Sequence, residues 1–481
     1  MEKERSMKEI TPRAEDYSQW YLDMVLKAEL ADYGPVKGCM VIRPYGYAIW
    51  EAMQAEMDRR IKETGAQNAY FPLLIPKSFL EKEQEHVEGF SPECAWVTVG
   101  GGEELEEPLA IRPTSEAMIC TMYAKWVNSW RDLPVMMNQW CNILRWEKVT
   151  RPFLRTTEFL WQEGHTLHET AEEAEEETLR MLDVYRRFSE EVLAMPVVWG
   201  CKSDDQKFAG AVRTYAIEAL MQDGRALQAG TSHNLGQNFA TAYGIEFLAR
   251  DQSRQKPWST SWGTSTRMVG GLIMTHGDDS GLILPPRVAP HQLVIVPIPP
   301  RKGDWHEQVL PKARELQAQL RAAGLRVHLD ARDTQQPGFK YADWEMRGVP
   351  LRLEIGPKDI EKDQCVLVRR DTRAKAFVPV AGLAQAARDL LDTIQTDLLL
   401  RARQFVADNT TRVTTYDELK QAMQARRGFI VAGWNGDPAV EARIKDETKA
   451  TIRVIPTDPE REAPCLVTGE KGREVYFAQA Y

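Results

Sequence analysis

Guanidinium groups at Arg145 and Arg267, and carboxylates, imidazoles and hydroxyls set among aromatic rings, are the side chains here whose spacing suits chemistry. The densest stretch is 145–165, RWEKVTRPFLRTTEFLWQEGH. Residues two apart share a face of a strand, so Arg145 and Glu147 are expected to point together on a first extended run. On a second run Thr157, Phe159, Trp161, Glu163 and His165 share one face, leaving Thr156, Glu158, Leu160 and Gln162 on the other. Two aromatics beside a carboxylate and an imidazole suit an aromatic-walled pocket with polar ends. The alternation by itself fits an ordinary antiparallel hairpin equally well. An arginine at the mouth of such a pocket offers a planar fork of donors to a carboxylate or a phosphate.

Three further places carry groups of the same kind. In LAIRPTSEAMICTMYAKW, Thr114 could cap a helix and Glu116 sit beside its positive end. In LQAGTSHNLGQNF, Gln228, Thr231 and His233 surround a glycine, and a lone histidine in such a run is ordinarily structural. Arg267 lies between Gly263 and Gly270 at a strand-to-helix transition, where an arginine can simply snorkel from a helix start.

The elements that must hold these groups can be traced along the chain. Residues 16–30 read as an amphipathic helix. A short strand, a turn at Pro44-Tyr45-Gly46 and a helix from about Ile49 to Glu63 follow, and then a strand in NAYFPLLIP that Pro76 ends. A long acidic helix follows the second extended run, with Leu179, Met181, Leu182, Val184 and Phe188 on its buried side. Strands return through 200–247. From Pro290 strands and helices alternate in an α/β order, 383–427 is helical, and 428–481 forms a compact tail.

At 481 residues the chain exceeds what one core usually supports, so about two to four domains are expected. A net charge of -9 argues against a uniformly basic nucleic-acid coat but permits a local basic face. The seven cysteines form no CxxC pair, which makes a reducing cytoplasm the default. The charged N-terminal stretch has no apolar centre of the kind a secretory signal needs, and no window is apolar enough for a membrane helix.

Taken in order, these stretches resemble the class II aminoacyl-tRNA synthetases. The strand-turn-helix near 40–63 and the proline-ended strand after it are similar to motif 1, the dimer-forming element. The fRxE opening at Arg145, the turn with Arg151 and the run from Arg155 to Phe159 resemble motif 2, and the glycines with Arg267 resemble motif 3. The Thr114-Ser115-Glu116 loop, the phrase around Gln228 to His233, and PGFKYADWEMRGVPLRLEIGPKD resemble the prolyl-tRNA synthetases of the archaeal and eukaryote-like form.

That resemblance implies an α+β chain with an antiparallel-sheet catalytic domain at 1–288. An α/β anticodon-binding domain at 289–395 and a small α+β C-terminal domain at 396–481 would follow. It implies activation of L-proline with ATP and Mg2+, transfer to tRNA(Pro), and a homodimer; the rival reading is a non-catalytic tRNA-binding or regulatory paralogue. Arg145 and Arg267 would be the catalytic groups. Glu147, Thr156, Thr157, Phe159, Gln228, Thr231 and Ser265 would join them around ATP. Thr114, Glu116, Trp161, Glu163, His165, Phe208 and His233 would join Arg145 around proline, and Phe339, Lys340, Arg347 and Arg352 would meet the anticodon. Roughly 60 residues separate His165 from Gln228, too few for an inserted editing domain of ~100–150 residues. In the tail, the positions of the family's zinc-binding cysteines read Asn435, Val440, Cys465 and Thr468, so no structural zinc is expected. Packing of Trp434, Val440, Ile444, Ile452 and Phe477 should hold that domain instead. The terminal Tyr481 resembles the tyrosine that in relatives folds back toward the catalytic domain.

Overall fold

The structure is a computed structural model that describes residues 10–86, 93–300, 303–425, 427–458 and 461–481. Seven strands organise the first part: β1 (Gln67–Asn68), β2 (Val135–Leu144), β3 (Glu158–His168), β4 (Val197–Cys201), β5 (Arg213–Leu220), β6 (Ala226–Gly236) and β7 (Trp258–Ser265). Their spatial order is β1-β2-β3-β7-β6-β5-β4. The two-residue β1 runs parallel to β2, and every other neighbouring pair is antiparallel.

The long helix α1 (Ala171–Arg187) covers one face of this sheet. Thr170 and Glu173 close a capping box at its start, acidic residues fill its first turn and arginines its last, so both ends suit the helix dipole. Met181, Leu182 and Tyr185 are buried beneath it, and Phe188 just beyond it. Leu179, expected on that side, is instead 39% exposed, and Glu177 takes a buried position. Tyr185 Oη donates to Gln162 at 2.7 Å and Ser232 Oγ to the Thr178 carbonyl at 2.7 Å. Even-numbered positions of β3 and β6 therefore face the helix, and the odd positions that alternate with them are free to line a site.

Several local readings change. Pro44 does not begin a turn but stands at the first position of the helix Pro44–Glu63, where its missing N–H costs nothing. The helix Glu116–Trp126 is entered from Ser115 with no side-chain cap, and the Thr114 hydroxyl bonds to the Glu116 carboxylate. The first extended run of the central hairpin is Val135–Leu144, so Arg145 and Glu147 lie beyond its end, in a loop pinned by buried Phe153 and Leu154. Phe153 adopts a left-handed φ of 60°, and the carbonyl of its neighbour Pro152 accepts from Tyr21 Oη at 2.7 Å.

Beyond the first sheet, five strands form a second one in the order Val327–Leu329, Leu293–Pro297, Leu351–Ile355, Gln364–Arg369, Lys375–Pro379. The first three are mutually parallel and the last two antiparallel. Leu383–Asp408 is one unbroken helix passing through 395, and Leu383, Ala387, Leu391, Ile394 and Leu398 pack in the core of this second unit. A third sheet follows, built from Thr410–Arg412, Phe429–Trp434, Thr451–Val454, Glu462–Pro464 and Lys471–Ala478. The helical stretch expected to reach 427 is thus broken by the first of these strands. The tail's core holds Trp434, Val440, Ile444, Ile452 and Phe477 together, as anticipated from the sequence. Tyr481 closes the chain against the first sheet: its N–H donates to the Ala226 carbonyl at 3.1 Å and its hydroxyl to Asp223 at 2.7 Å. No helix among the described residues is long and apolar enough to cross a membrane.

Candidate active site

A cavity of about 310 Å³ opens on the face of the sheet opposite α1. That size suits a small-molecule site. Phe159, Trp161, Glu163 and His165 line it from β3, Thr231 and His233 from β6, Ser265 from the end of β7, and Arg267 from the helix start after it. Gln228 also reaches the cavity although it is three residues from Thr231. Between Ile217 and Glu218 the β5–β6 register shifts so that Ala229 is unpaired, which turns Gln228 onto the cavity face. Thr114, Glu116, Arg145 and Phe208 complete the expected residues on its walls.

Three expected residues lie elsewhere. Thr156 is buried with its hydroxyl on the Glu158 carbonyl at 2.7 Å, Thr157 is buried against Gly38, and Glu147 stands 3.8 Å from Arg155 outside the cavity wall. The sequence reading missed Gln206, Lys207 and Thr214, which also line the cavity. Lys207 and Phe208 sit side by side in KFAG, and the adjacent cation is the one signal that could have pointed there.

The hydrogen bond that each of the two arginine side chains makes is to a backbone carbonyl. Arg145 Nε donates to the Pro113 carbonyl at 2.9 Å, and the guanidinium lies 5.6 Å from the Phe159 ring and 5.5 Å from Trp161. Arg267 Nε donates to the Leu154 carbonyl at 2.9 Å, which is what the loop pinned by Phe153 provides. Burial, and then the charges of Arg155 and Arg145, bring Arg267 down to about 10. Burial also lowers Arg145, against the pull of Glu116, Glu163 and Glu147. Among the described residues neither guanidinium has a carboxylate hydrogen-bond partner, so both forks are left to an anionic ligand.

Deeper along β3, Glu163 is fully enclosed. It accepts from Ser115 Oγ at 2.5 Å, Gln139 Nε2 at 2.9 Å and His165 Nε2 at 2.9 Å. Burial works against its charge, but the His165 bond and charge and the Ser115 and Gln139 donors outweigh it and hold the carboxyl below its usual value. Burial likewise opposes protonation of His165, and the Glu163 bond with the charges of Glu116 and Glu163 overrides it, so its value is raised. His233 goes the other way, to about 3, through burial and then the His165 charge; its Nδ1 meets Thr214 Oγ1 at 2.9 Å. Within one pocket, then, the surroundings push one imidazole toward its charged form and the other toward its neutral one.

Gly164 permits this packing. A Cβ there would lie 2.1 Å from two carbons of the buried Trp262 ring, on the helix side of β3. Gly164→Ala should therefore displace Trp262 and destabilise the fold by about 1–3 kcal/mol, read as a lower denaturant midpoint, and an unchanged midpoint would show that the ring yields freely.

The tRNA candidates are mostly committed within the protein. Lys340 is 2% exposed and its amine donates to the Asp330 carbonyl at 3.1 Å, so it is not on a surface that a base could reach. Arg347 is bonded to Glu29 of the first unit and lies 5.5 Å from the Tyr45 ring. Arg352 pairs with Glu345 at 3.2 Å and Glu354 at 2.8 Å, while Phe339 is half-buried. In the tail Asn435 stands 3.5 Å from Thr468 and Cys465 is buried, whereas Val440 points into the core. That set offers one sulfur, which does not fit a tetrahedral zinc site.

The chain matches models of the tRNA synthetase class II core domain (G, H, P, S and T) over 96–276, of an anticodon binding domain over 292–390, and of the prolyl-tRNA synthetase C-terminal domain over 416–481. The proline--tRNA ligase of Natranaerobius thermophilus is 59% identical, with 99% of each chain covered, and that of Rubrobacter xylanophilus 58% identical at the same coverage. The crystal structure of prolyl-tRNA synthetase from Cryptosporidium parvum, complexed with halofuginone and AMPPNP, matches with a TM-score of 0.95 at 41% identity, covering 99% of this chain and 100% of that one. With such identity along its whole length, the chain belongs to the prolyl-tRNA synthetases of the class II aminoacyl-tRNA synthetases.

Proposed function

We propose that this chain activates L-proline with ATP to prolyl-adenylate and transfers the prolyl group to the 3′ end of tRNA(Pro). The observation that carries the reading is the pair of guanidinium forks, Arg145 and Arg267, without a carboxylate hydrogen-bond partner among the described residues, in a cavity that Glu116 and Glu163 also line. Proline's carboxylate attacks the α-phosphate and pyrophosphate leaves. The nucleophile is already ionised at neutral pH, so the protein need supply no base; alignment and charge neutralisation suffice. Arg145 bridges the proline carboxylate and the α-phosphate. Arg267 meets the terminal phosphates or one face of the adenine, with Phe159 on the other face and Gln228, Thr231 and Ser265 along the nucleotide. A relative solved with AMPPNP supports the nucleotide half.

Thr114 and Glu116 suit the secondary ammonium of proline, and Trp161, Phe208 and His233 the ring, with Glu163 and His165 as a rigid wall behind. Among the described residues no three His, Cys, Asp or Glu side chains stand together as a metal cage. Magnesium would thus be held mainly by the nucleotide's phosphates and water, with Glu147 as a nearby carboxylate. We read the tail as zinc-free, the second unit as the part that meets the anticodon with Phe339 as its remaining stacking candidate, and the assembly as a cytoplasmic homodimer. Tyr33, Val41 and Tyr47, exposed at 61%, 54% and 40%, are apolar surface near the motif 1 helix that such a dimer would cover.

The non-catalytic reading has no need of the two free guanidiniums together. The test is ATP–pyrophosphate exchange with each amino acid in turn. Exchange that depends on proline, with a weak leak to the smaller alanine at the ~10–200-fold discrimination a hydrophobic pocket gives, is expected. Absence of exchange with proline would remove the reading.

A further inference from the structure

The expected Phe208 and its unexpected neighbours on the cavity wall, Gln206 and Lys207, belong to a loop that leaves the sheet's edge strand β4 at Cys201 and rejoins the sheet at Arg213 in β5. Its far end is tied to the site. Phe208 N–H donates to Thr214 Oγ1 at 2.9 Å, the same hydroxyl meets His233, and the Phe208 ring centroid lies 4.7 Å from that of His233.

Its near end is tied to the third unit. Cys201 and Ile455 exchange both backbone hydrogen bonds, at 2.8 and 2.7 Å. Gly200 makes this approach possible, since a Cβ there would stand 2.2 Å from the Ile455 carbonyl oxygen. Lys202 Nζ donates to the Arg453 carbonyl at 2.8 Å. Ser203 Oγ donates to Glu441 at 2.8 Å, and both residues are only 2% exposed. Glu441 projects from the helix α2 (Pro438–Thr448), which the N-cap Asp437 fixes. Further out, Lys445 pairs with Asp205 at 3.5 Å, an exposed contact of little weight. Of the two side-chain ties to the loop's first turn, the Ser203 bond is the buried one, and among the described residues the Ser203 hydroxyl has no other hydrogen-bond partner.

We propose that Glu441 is a positioning residue for proline binding: through Ser203 the third unit sets the loop that presents Phe208 to the cavity. The loop hangs between two anchors, one on α2 and one on His233. Releasing the first leaves Phe208 free to move away from the amino-acid end, while Arg267, Gln228 and Thr231 stay fixed on the sheet. The expected signature is consequently selective for one substrate. The inference rests on the reading of Phe208 as a wall of the proline site.

The test is pyrophosphate exchange on the full-length chain, with KM for proline, KM for ATP and kcat measured for Glu441→Ala, Glu441→Gln and Ser203→Ala beside the wild type. Glu441→Ala should raise KM for proline about fivefold, the effect of one lost hydrogen bond, and leave KM for ATP and kcat within about twofold. Glu441→Gln keeps an acceptor oxygen and should restore proline binding; Ser203→Ala should repeat the Glu441→Ala result and carries the test if that variant does not fold. An unchanged KM for proline, a parallel rise for both substrates, or no rescue by glutamine would overturn the proposal. A wild type without proline-dependent exchange would instead overturn the functional reading on which it stands.

Discussion

Arg145→Ala is expected to cut proline-dependent ATP–pyrophosphate exchange by roughly 10²–10³-fold, the scale seen when one preorganised donor to a developing anion is lost. The size follows from how the side chain is held. Its Nε is committed to the Pro113 carbonyl and its plane lies near the Phe159 and Trp161 rings, so the two terminal nitrogens are already aimed when substrates arrive. A flexible cation would have to be ordered first and would contribute less. Arg145→Lys keeps the charge but loses both the fork and the Nε bond, and should recover only part of the rate. Stability offers the control: removing one hydrogen bond to a carbonyl costs about 1 kcal/mol, so the fold should persist while exchange collapses. Near-normal exchange in Arg145→Ala would refute the assignment.

What the sequence disclosed about this site divides along physical lines. Phe159, Trp161, Glu163 and His165 were readable because a strand repeats every two residues, and a local period needs no tertiary knowledge. Arg145 was recognised as a residue but misplaced as a strand position. The loop that carries it has no period, and its shape depends on Phe153 adopting a left-handed conformation inside the core. Gln228 and Thr231 share the cavity only because of an unpaired Ala229, an event that alternation counts against. Gln206 and Lys207 left only a cation beside Phe208 as a signal, because their loop has no period and its first turn is tied to a helix more than 200 residues away in sequence. The same limit explains Lys340 and Arg347. A lysine or arginine reads as surface until its partner is known, and Asp330 and Glu29 are the partners that draw these two inward. Helix starts fared no better at Pro44, where one residue type serves a turn and a first helical position alike.

Glu218→Ala should be the most destabilising of these substitutions, by about 3–5 kcal/mol, because it strands two buried cations. Glu218 is fully buried on β5, with Lys202 Nζ at 2.5 Å and Arg453 Nη2 and Nε at 2.8 and 3.2 Å. Arg453 comes from the third sheet, so this one carboxylate joins the third unit to the edge of the first. Burial opposes its charge, and the charges of Lys202 and Arg453 with their hydrogen bonds reverse that, holding the carboxyl below its usual value. A carboxyl depressed in the folded state adds stability that is complete above its unfolded value near 4 and is lost as pH falls through the folded one, so at neutral pH the whole effect is exposed to mutation. In a thermal melt the loss corresponds to roughly 6–20 °C, at ~2–4 °C per kcal/mol for a unit of this size. Glu218→Gln retains shape and one acceptor and should fall between. Replacing all three charges together, as Lys202→Met, Glu218→Leu and Arg453→Met, should restore much of the loss, since a well-packed apolar trio avoids the desolvation that the ions require. A shift below about 2 °C for Glu218→Ala would mean that water reaches the two cations, and the junction would then depend on the backbone pairing of Cys201 with Ile455 rather than on charge.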